Sequence, residues 1–401
     1  MRIFLTMMLV PYVVTNGRAT SLSRHPRPSL GVTSGDLVTA SRAAKSRDGP
    51  AHSSICDNTV VQYHGYLPGQ GDTKLFYWFF ESRHNPRESP TVIYFQGGPG
   101  GSSLFSAVSG NGGPCIVDDV GNNTSINKYS WNTHANVMYL DQPAEVGFSR
   151  GPIPKSSVEA AESTYRALNK FFLSRPEYNT RGFLAGQSYA GHYIPPLAVK
   201  LKQRNSRVRL EGIILGNAEV APEIHDLIFL AAVMRHLIAP TKCRILHTTI
   251  SPPIVTAFLN SHRARRFFGH DSLWQPASTE VYGEFEHEIA CNFHQLLPDL
   301  LHEGLRILVL AGDRDLACNW MGSLAWMKEL RWRGMIGFRK ATPIVYELPN
   351  GETIGNLRAY TLPDTGVQLV FMRVYGVGHS VAMEAPRKAL KMVLDFLYQN
   401  L

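Results

Sequence analysis

The chain has 401 residues, of which 44% are hydrophobic and 18% are charged, and its formal net charge is +8. This length and composition suffice to bury one large core, and the absence of internal repeats or low-complexity tracts excludes a repeat array. The first 50 residues hold seven Lys or Arg and two Asp, so +5 of the net charge lies there. The charge therefore gives no support for nucleic-acid binding.

The N-terminus has the pattern of a secretory leader. Residues 3–14 are apolar after Arg2, and small residues follow near Ala19. The run is too short to span a membrane, so we predict a signal peptide over residues 1–20, with a buried N-terminal helix as the alternative. Residues 21–52 are polar, basic and aperiodic, which predicts a pro-segment or disordered linker. A single globular domain is predicted to follow over residues 53–401, with no membrane span in the mature chain.

Short apolar strands open this domain. The segments 60–66 and 74–80 are predicted to pair as an antiparallel hairpin at one sheet edge. The strand at 91–95 runs into a glycine-rich loop, residues 96–103. Glycines let the backbone approach a substrate and aim N–H groups at developing negative charge. A flexible turn is the alternative, and a phosphate loop is not expected because no Gly-Lys-Ser/Thr follows.

Strands and helices then alternate along the chain. Strands are predicted at 137–140, 182–185, 210–217, 305–310 and 368–374, and helices at 158–173, 190–201, 319–330 and 386–398. This alternation indicates a mostly parallel sheet with helices on both faces. The fold class predicted is α/β.

The segment Gly186-Gln187-Ser188-Tyr189 lies between a strand and a helix, which is the position of the nucleophile elbow in α/β-hydrolases. A serine nucleophile needs a histidine, and the histidine needs an orienting carboxylate. In this fold the order is Ser, acid, His. Two later strand ends carry Asp313 and Asp315, then His379.

Each of these residues alone is more often structural, because an Asp after a strand commonly forms a turn. The ordered trio favours catalysis, with Ser188 as nucleophile, Asp315 as the acid and His379 as the base. Asp313 is expected to hold its loop. The backbone N–H of Tyr189, which follows the nucleophile, is expected to donate to the oxyanion.

Several motifs in this order resemble the serine carboxypeptidases of the carboxypeptidase Y and cathepsin A group. They span residue 56 to the C-terminus and include the segments 97–100 (Gly-Gly-Pro-Gly), 141–143 (Asp-Gln-Pro), 187–195, 312–320 and 378–379. The resemblance implies a serine-type carboxypeptidase that releases single residues from peptide or protein C-termini through an acyl-enzyme. It also implies the Ser188, Asp315 and His379 triad, Gly98 and Tyr189 as oxyanion donors, and no metal or other cofactor.

The chain departs from the family in the site for the substrate carboxylate. The family uses an Asn, a Glu before the serine and a third acidic residue, whereas this chain has Gln96, Gln187 and a stretch at 109–114 without a carboxylate. A Glu must be protonated to donate a hydrogen bond, whereas a Gln donates at any pH. We hypothesise that Gln96 and Gln187 bind the carboxylate with less dependence on acid. A degraded site, suited to esters, is the alternative.

Five cysteines follow the leader, at positions 56, 115, 243, 291 and 318, and their wide spacing does not indicate a zinc site. The resemblance places a free thiol at Cys318, which leaves up to two disulfides in three connectivities.

Overlapping sequons at 122–125 suit a secretory route, so we expect a secreted or vacuolar, lysosome-like protein. The resemblance also implies an α/β-hydrolase fold whose helical cap insertion, at about 218–290, is shortened either by a natural deletion or by an error in the gene model. An acyltransferase or esterase and a catalytically impaired scaffold therefore remain alternatives. The sequence leaves the oligomeric state open.

Overall fold

A computed structural model describes residues 42–43 (backbone only), 55–234, 252–269 and 271–401 of the chain. Their main feature is an eleven-stranded sheet with the strand order β1-β2-β3-β7-β4-β8-β9-β10-β13-β12-β11. Its strands are β1 (Arg42–Ala43), β2 (Gln62–Pro68), β3 (Lys74–Phe80), β4 (Thr91–Phe95), β7 (Asn136–Leu140), β8 (Gly182–Ser188), β9 (Leu210–Ala218), β10 (Arg306–Gly312), β11 (Ile344–Glu347), β12 (Thr353–Thr361) and β13 (Gln368–Val374). A separate antiparallel pair consists of β5 (Cys115–Val117) and β6 (Thr124–Ile126).

The centre of the sheet is parallel and its two edges are antiparallel. Strands β7, β4, β8, β9, β10 and β13 pair in parallel, whereas β1, β2 and β3 form one antiparallel edge and β12 and β11 the other. Every residue of β10 is buried, as expected for a parallel strand covered on both faces. The carboxyl ends of the parallel strands therefore meet at one edge, which is where open α/β sheets bind ligands.

Helices cover both faces of the sheet. They are α1 (Ser103–Val108), α2 (Ser157–Ser174), α3 (Ala190–Gln203), α4 (Pro222–Met234), α5 (Pro252–Leu259), α6 (His262–Phe268), α7 (Thr279–Phe285), α8 (Leu297–His302), α9 (Trp320–Glu329), α10 (Met335–Lys340), α11 (Val381–Glu384) and α12 (Pro386–Leu397). Alternate residues of β3 face the two helical layers on opposite sides of the sheet. Tyr77 and Phe79 lie in one buried cluster with α2 and α3, whereas Phe76, Trp78 and Phe80 lie in the other with α5 and α12.

The predicted α/β-hydrolase architecture is confirmed, and most predicted elements agree with the structure to within two residues. The β2–β3 hairpin is antiparallel as expected, and Arg42–Ala43 pairs with it as a further strand. The hairpin β11–β12 was not predicted. In its outer strand β11, the consecutive apolar residues Ile344 and Val345 are both exposed. The strand therefore lacks the alternation of apolar and polar residues by which a half-buried strand is predicted.

Helices α4, α5, α6 and α7 occupy the predicted cap region, of which residues 235–251 and 270 lie outside the described chain. Residues such as Val255, Phe258 and Leu259 of α5 are buried in the main core, so this helix packs on the domain. The predicted leader at 1–20 also lies outside the described residues, as does the segment 21–52 apart from Arg42–Ala43. No helix in the described ranges is both long and apolar enough to cross a membrane.

One disulfide joins Cys56 to Cys115 across 59 residues of sequence. Cys318 carries a buried free thiol, as the resemblance implied. Cys291 is exposed and is not in a disulfide, and Cys243 lies outside the described residues. The described chain therefore contains one of the two disulfides that the cysteine count allowed.

Candidate active site

The turn between β8 and α3 presents Ser188 at the carboxyl edge of the sheet. Ser188 has φ +60°, a left-handed conformation that few residues other than glycine adopt. The turn needs small neighbours, because a Cβ at Gly186 would lie 2.5 Å from Ala190 Cβ, and one at Gly191 would lie 2.5 Å from Glu219 O. These contacts show why positions 186 and 191 on either side of the serine are glycine.

The strained backbone at Ser188 gives a stability prediction. Because glycine has no Cβ, Ser188→Gly should be more stable to unfolding than Ser188→Ala by about 1 kcal/mol. Both variants lack the hydroxyl, so the difference isolates the backbone. Urea unfolding midpoints for the two variants measure it. Equal stability would show that the turn imposes no strain at this position.

The structure brings Asp315 and His379 into direct contact, with Asp315 Oδ2 2.8 Å from His379 Nδ1. Asp315 also accepts hydrogen bonds from Asn217 Nδ2 at 2.7 Å and from Ala317 N at 3.1 Å. These bonds occupy both carboxylate oxygens and fix the plane of the group. Asp315 can therefore orient the imidazole so that its other nitrogen, Nε2, is available to a nucleophile.

Burial of Asp315 acts to raise its pKa, but the nearby His379 and the hydrogen bonds from Asn217 and Ala317 outweigh burial and lower it. Burial acts to lower the pKa of His379, whereas the Asp315 carboxylate and, more weakly, Glu219 and Glu384 raise it above 6.5. The pair therefore favours ionised Asp315 next to a histidine of increased basicity. That is the requirement for a general base.

Glu384 fixes the loop that carries His379. Its carboxylate accepts the backbone N–H of Gly378 at 2.8 Å and that of Ser380 at 3.3 Å, on either side of the histidine. Asp313 acts similarly on the neighbouring loop, since it accepts Gly376 N at 2.8 Å and pairs with Arg373 at 3.2 Å. Asp313 is thus a loop-holding residue, as predicted.

Sheet order explains why three distant segments meet. Ser188 ends β8, and the loops with Asp315 and His379 follow β10 and β13. In the sheet β9 lies between β8 and β10, and β13 is the next strand after β10. Gln187 Nε2 donates to His379 O at 2.9 Å, which ties the elbow to the histidine loop. No hydrogen bond joins Ser188 Oγ to His379 in the described structure, and in unliganded enzymes such bonds are often long.

The glycine-rich loop after β4 passes directly beside the elbow. A Cβ at Gly97 would lie 2.6 Å from Tyr189 N and 2.7 Å from Ser188 Cβ, so only glycine fits there. Gly98 has φ +124°. Within the described residues, the N–H groups of Gly98 and Tyr189 have no hydrogen-bond acceptor. Two unpaired backbone donors beside a serine are suited to stabilise an oxyanion.

Amide side chains fill the pocket beside this loop. Asn111 Nδ2 donates to Gln187 Oε1 at 2.9 Å and to Tyr94 Oη at 3.0 Å, and Gln96 Oε1 accepts from Ser106 Oγ at 2.9 Å. Both amide hydrogens of Gln187 are directed at protein acceptors, namely His379 O and, at 3.0 Å, Ser380 Oγ. Gln96 Nε2 has no hydrogen-bond acceptor among the described residues.

Sequence reasoning missed Asn111 and Asn217. Asn111 lies in the stretch 109–114, which was noted only for its lack of a carboxylate, and its amide contacts the predicted Gln187. Asn217 directly follows Gly216 at the end of β9 and has φ +41°. A polar residue at the end of a buried strand was a usable signal for Asn217. No local sequence pattern indicated a functional role for Asn111.

Asp315, Cys318 and His379 are close enough to suggest a metal site, since their ligand atoms lie within 4.8 Å of one another. The donor set does not fit a metal ion. Asp315 and His379 are already joined by a hydrogen bond, and burial raises the pKa of the Cys318 thiol well above its usual range. A protonated thiol is a poor ligand.

Comparison with known proteins agrees with this geometry. A family model described as serine carboxypeptidase matches residues 54–253 and 239–399. Carboxypeptidase Y homolog A of Arthroderma otae is 31% identical over an alignment that covers 85% of this chain and 75% of that protein. Carboxypeptidase Y of Komagataella phaffii is also 31% identical, with 83% of this chain and 75% of that protein covered.

Among solved structures, Kex1(delta)p, a prohormone-processing carboxypeptidase from Saccharomyces cerevisiae, is similar with a TM-score of 0.73. The match covers 88% of this chain and 94% of that chain at 21% sequence identity. At this identity the likeness establishes the shared fold.

Proposed function

Because the chain belongs to the serine carboxypeptidase family, we propose that Ser188, His379 and Asp315 are the residues with which it hydrolyses the last peptide bond of its substrates. The contact between Asp315 and His379 beside the strained Ser188 turn carries this assignment. His379 Nε2 takes the hydroxyl proton as Ser188 Oγ attacks the carbonyl carbon. Asp315 stabilises the resulting imidazolium.

The N–H groups of Gly98 and Tyr189 are proposed to donate to the oxyanion of the tetrahedral intermediate. His379 then gives its proton to the leaving amine, which departs as a free amino acid and leaves an acyl-enzyme on Ser188. A water molecule repeats the attack with His379 as base, and the shortened peptide is released. Each proton taken by His379 is returned within the same half-reaction.

The leaving residue carries a free carboxylate, for which we propose Gln96 Nε2 as the direct donor. Asn111 and Gln187 hold the pocket in place through their shared hydrogen bond. None of these amides titrates, so binding of the carboxylate should not weaken as a carboxyl group ionises.

A variant tests this pH independence. In Gln187→Glu, the new side chain must be protonated to donate to His379 O, so KM should rise steeply as pH increases through the pKa of the Glu. The wild-type KM should vary less over the same range. Steady-state kinetics with one peptide from pH 4 to 8 compares them, with Gln203→Glu at the end of α3 as a control. Parallel KM profiles for wild type and Gln187→Glu would discard the idea.

Mass spectrometry of a peptide incubated with the purified protein tests the function directly. Stepwise loss of single C-terminal residues is the expected result, and an unchanged peptide would contradict it. Added alcohol acceptors separate hydrolysis from acyl transfer, because a transferase would form the peptide ester.

We also propose that the protein matures in the secretory pathway. The Cys56–Cys115 disulfide supports an oxidising compartment. Asn122 and Asn123, the acceptors of the two overlapping sequons, are exposed in the turn before β6 and so are accessible for glycosylation.

A further inference from the structure

Glu219 directly follows β9 and is attached to the nucleophile turn. Its backbone N–H donates to Ser188 O at 2.9 Å, and its carbonyl lies against Gly191. These contacts fix the main chain of Glu219 beside Ser188. Apart from its effect on the pKa of His379, the mechanism above gives this residue no role.

The carboxylate of Glu219 is partly buried, yet it has no hydrogen bond or ion pair within the described ranges. Burial, helped by Asp226, raises its pKa to about 7 in the absence of substrate, and the nearby His379 opposes this. Its other titratable neighbours include Asp315, Tyr282 and Cys318, which carry no positive charge, and His192, whose pKa burial lowers to about 4. Among the described residues no cation forms an ion pair with this carboxylate, and a partly buried carboxylate without a partner is unfavourable.

The strand order places Glu219 opposite the proposed carboxylate donor. Gln96 follows β4 and Glu219 follows β9, on the two sides of β8, and adjacent strands are about 4.8 Å apart. A substrate that lays its C-terminal residue toward Gln96 therefore extends its preceding residue, which carries the attacked carbonyl, toward Glu219. Asp226 on α4 adds a second negative charge there.

Resting on the proposed function, we infer that Glu219 is a specificity residue that pairs with a Lys or Arg side chain at the penultimate position of the substrate. The ion pair forms as the acyl half of the substrate enters the site. It would replace the missing partner of the carboxylate and align the carbonyl with Ser188.

The test uses three peptides that differ only at the penultimate residue, which is Lys, Met or Glu, and share one neutral C-terminal residue. Wild type should show kcat/KM at least about tenfold higher for Lys than for Met, and lowest for Glu. Glu219→Gln should abolish the Lys-to-Met ratio, and Glu219→Asp should retain part of it. Glu223→Gln, which removes an exposed carboxylate from α4, is the matched control and should leave the ratio unchanged.

A Lys-to-Met ratio near one in wild type, or an unaltered ratio in Glu219→Gln, overturns the inference. The ratio in wild type should also fall as salt is increased, which needs no variant. If all three peptides stay intact, the proposed function itself fails, which is distinguishable from hydrolysis without charge preference.

Discussion

Replacement of Ser188 by alanine is expected to lower kcat for C-terminal hydrolysis by about 10⁴- to 10⁶-fold, as removal of a serine nucleophile does in unrelated triads. The variant loses the atom that attacks the carbonyl, whereas the backbone contacts of the elbow remain. Covalent labelling by a fluorophosphonate should disappear with the activity. Single-turnover kinetics and gel fluorescence measure the two losses.

Ser174→Ala is the control, because Ser174 is exposed at the end of α2. It should keep full activity and full labelling. If Ser188→Ala retains either, another residue is the nucleophile and the assignment of His379 and Asp315 loses its basis.

Replacement of Asp315 by asparagine is expected to lower kcat by about 10⁴-fold, because the amide cannot orient and stabilise the imidazolium as a carboxylate does. The pH dependence should also change. Asp315 raises the pKa of His379, and only the neutral imidazole acts as a base. Wild-type kcat/KM should therefore fall as the pH drops through a value above 6.5. In the variant this acid limb should move to lower pH, because the charge that favours protonated His379 is gone.

Asp313→Asn provides a matched comparison two residues away. Asp313 pairs with Arg373 and accepts Gly376 N but does not contact His379. Its replacement should leave the acid limb in place and reduce activity only through loop stability, which thermal unfolding reports. A shift of the acid limb in Asp313→Asn, or none in Asp315→Asn, would reverse the roles of the two residues.

The strands of the parallel centre could be predicted because each is a short apolar run bounded by glycine or a polar residue. The run 305–310 predicted β10, and the polar residues after it predicted where the carboxylate would lie. The hairpin β11–β12 carries no such signal, since Ile344 and Val345 are exposed and β12 includes Gly355, Asn356 and Arg358. Its position depends on pairing with β13, which is a non-local contact.

The proposed triad could be predicted from the sequence alone, because the order of Ser188, Asp315 and His379 and the small residues around the serine are local features of strand ends. Which side chains share hydrogen bonds depends instead on how the whole chain folds. Asn111 and Gln187 are 76 residues apart, and Asn217 and Asp315 are 98 apart, yet each pair is within 3 Å. Neighbouring strands of a parallel sheet are far apart along the chain, so contacts between their loops have no local sequence pattern. The unpaired carboxylate of Glu219 is likewise a property of what surrounds it, which no single segment encodes.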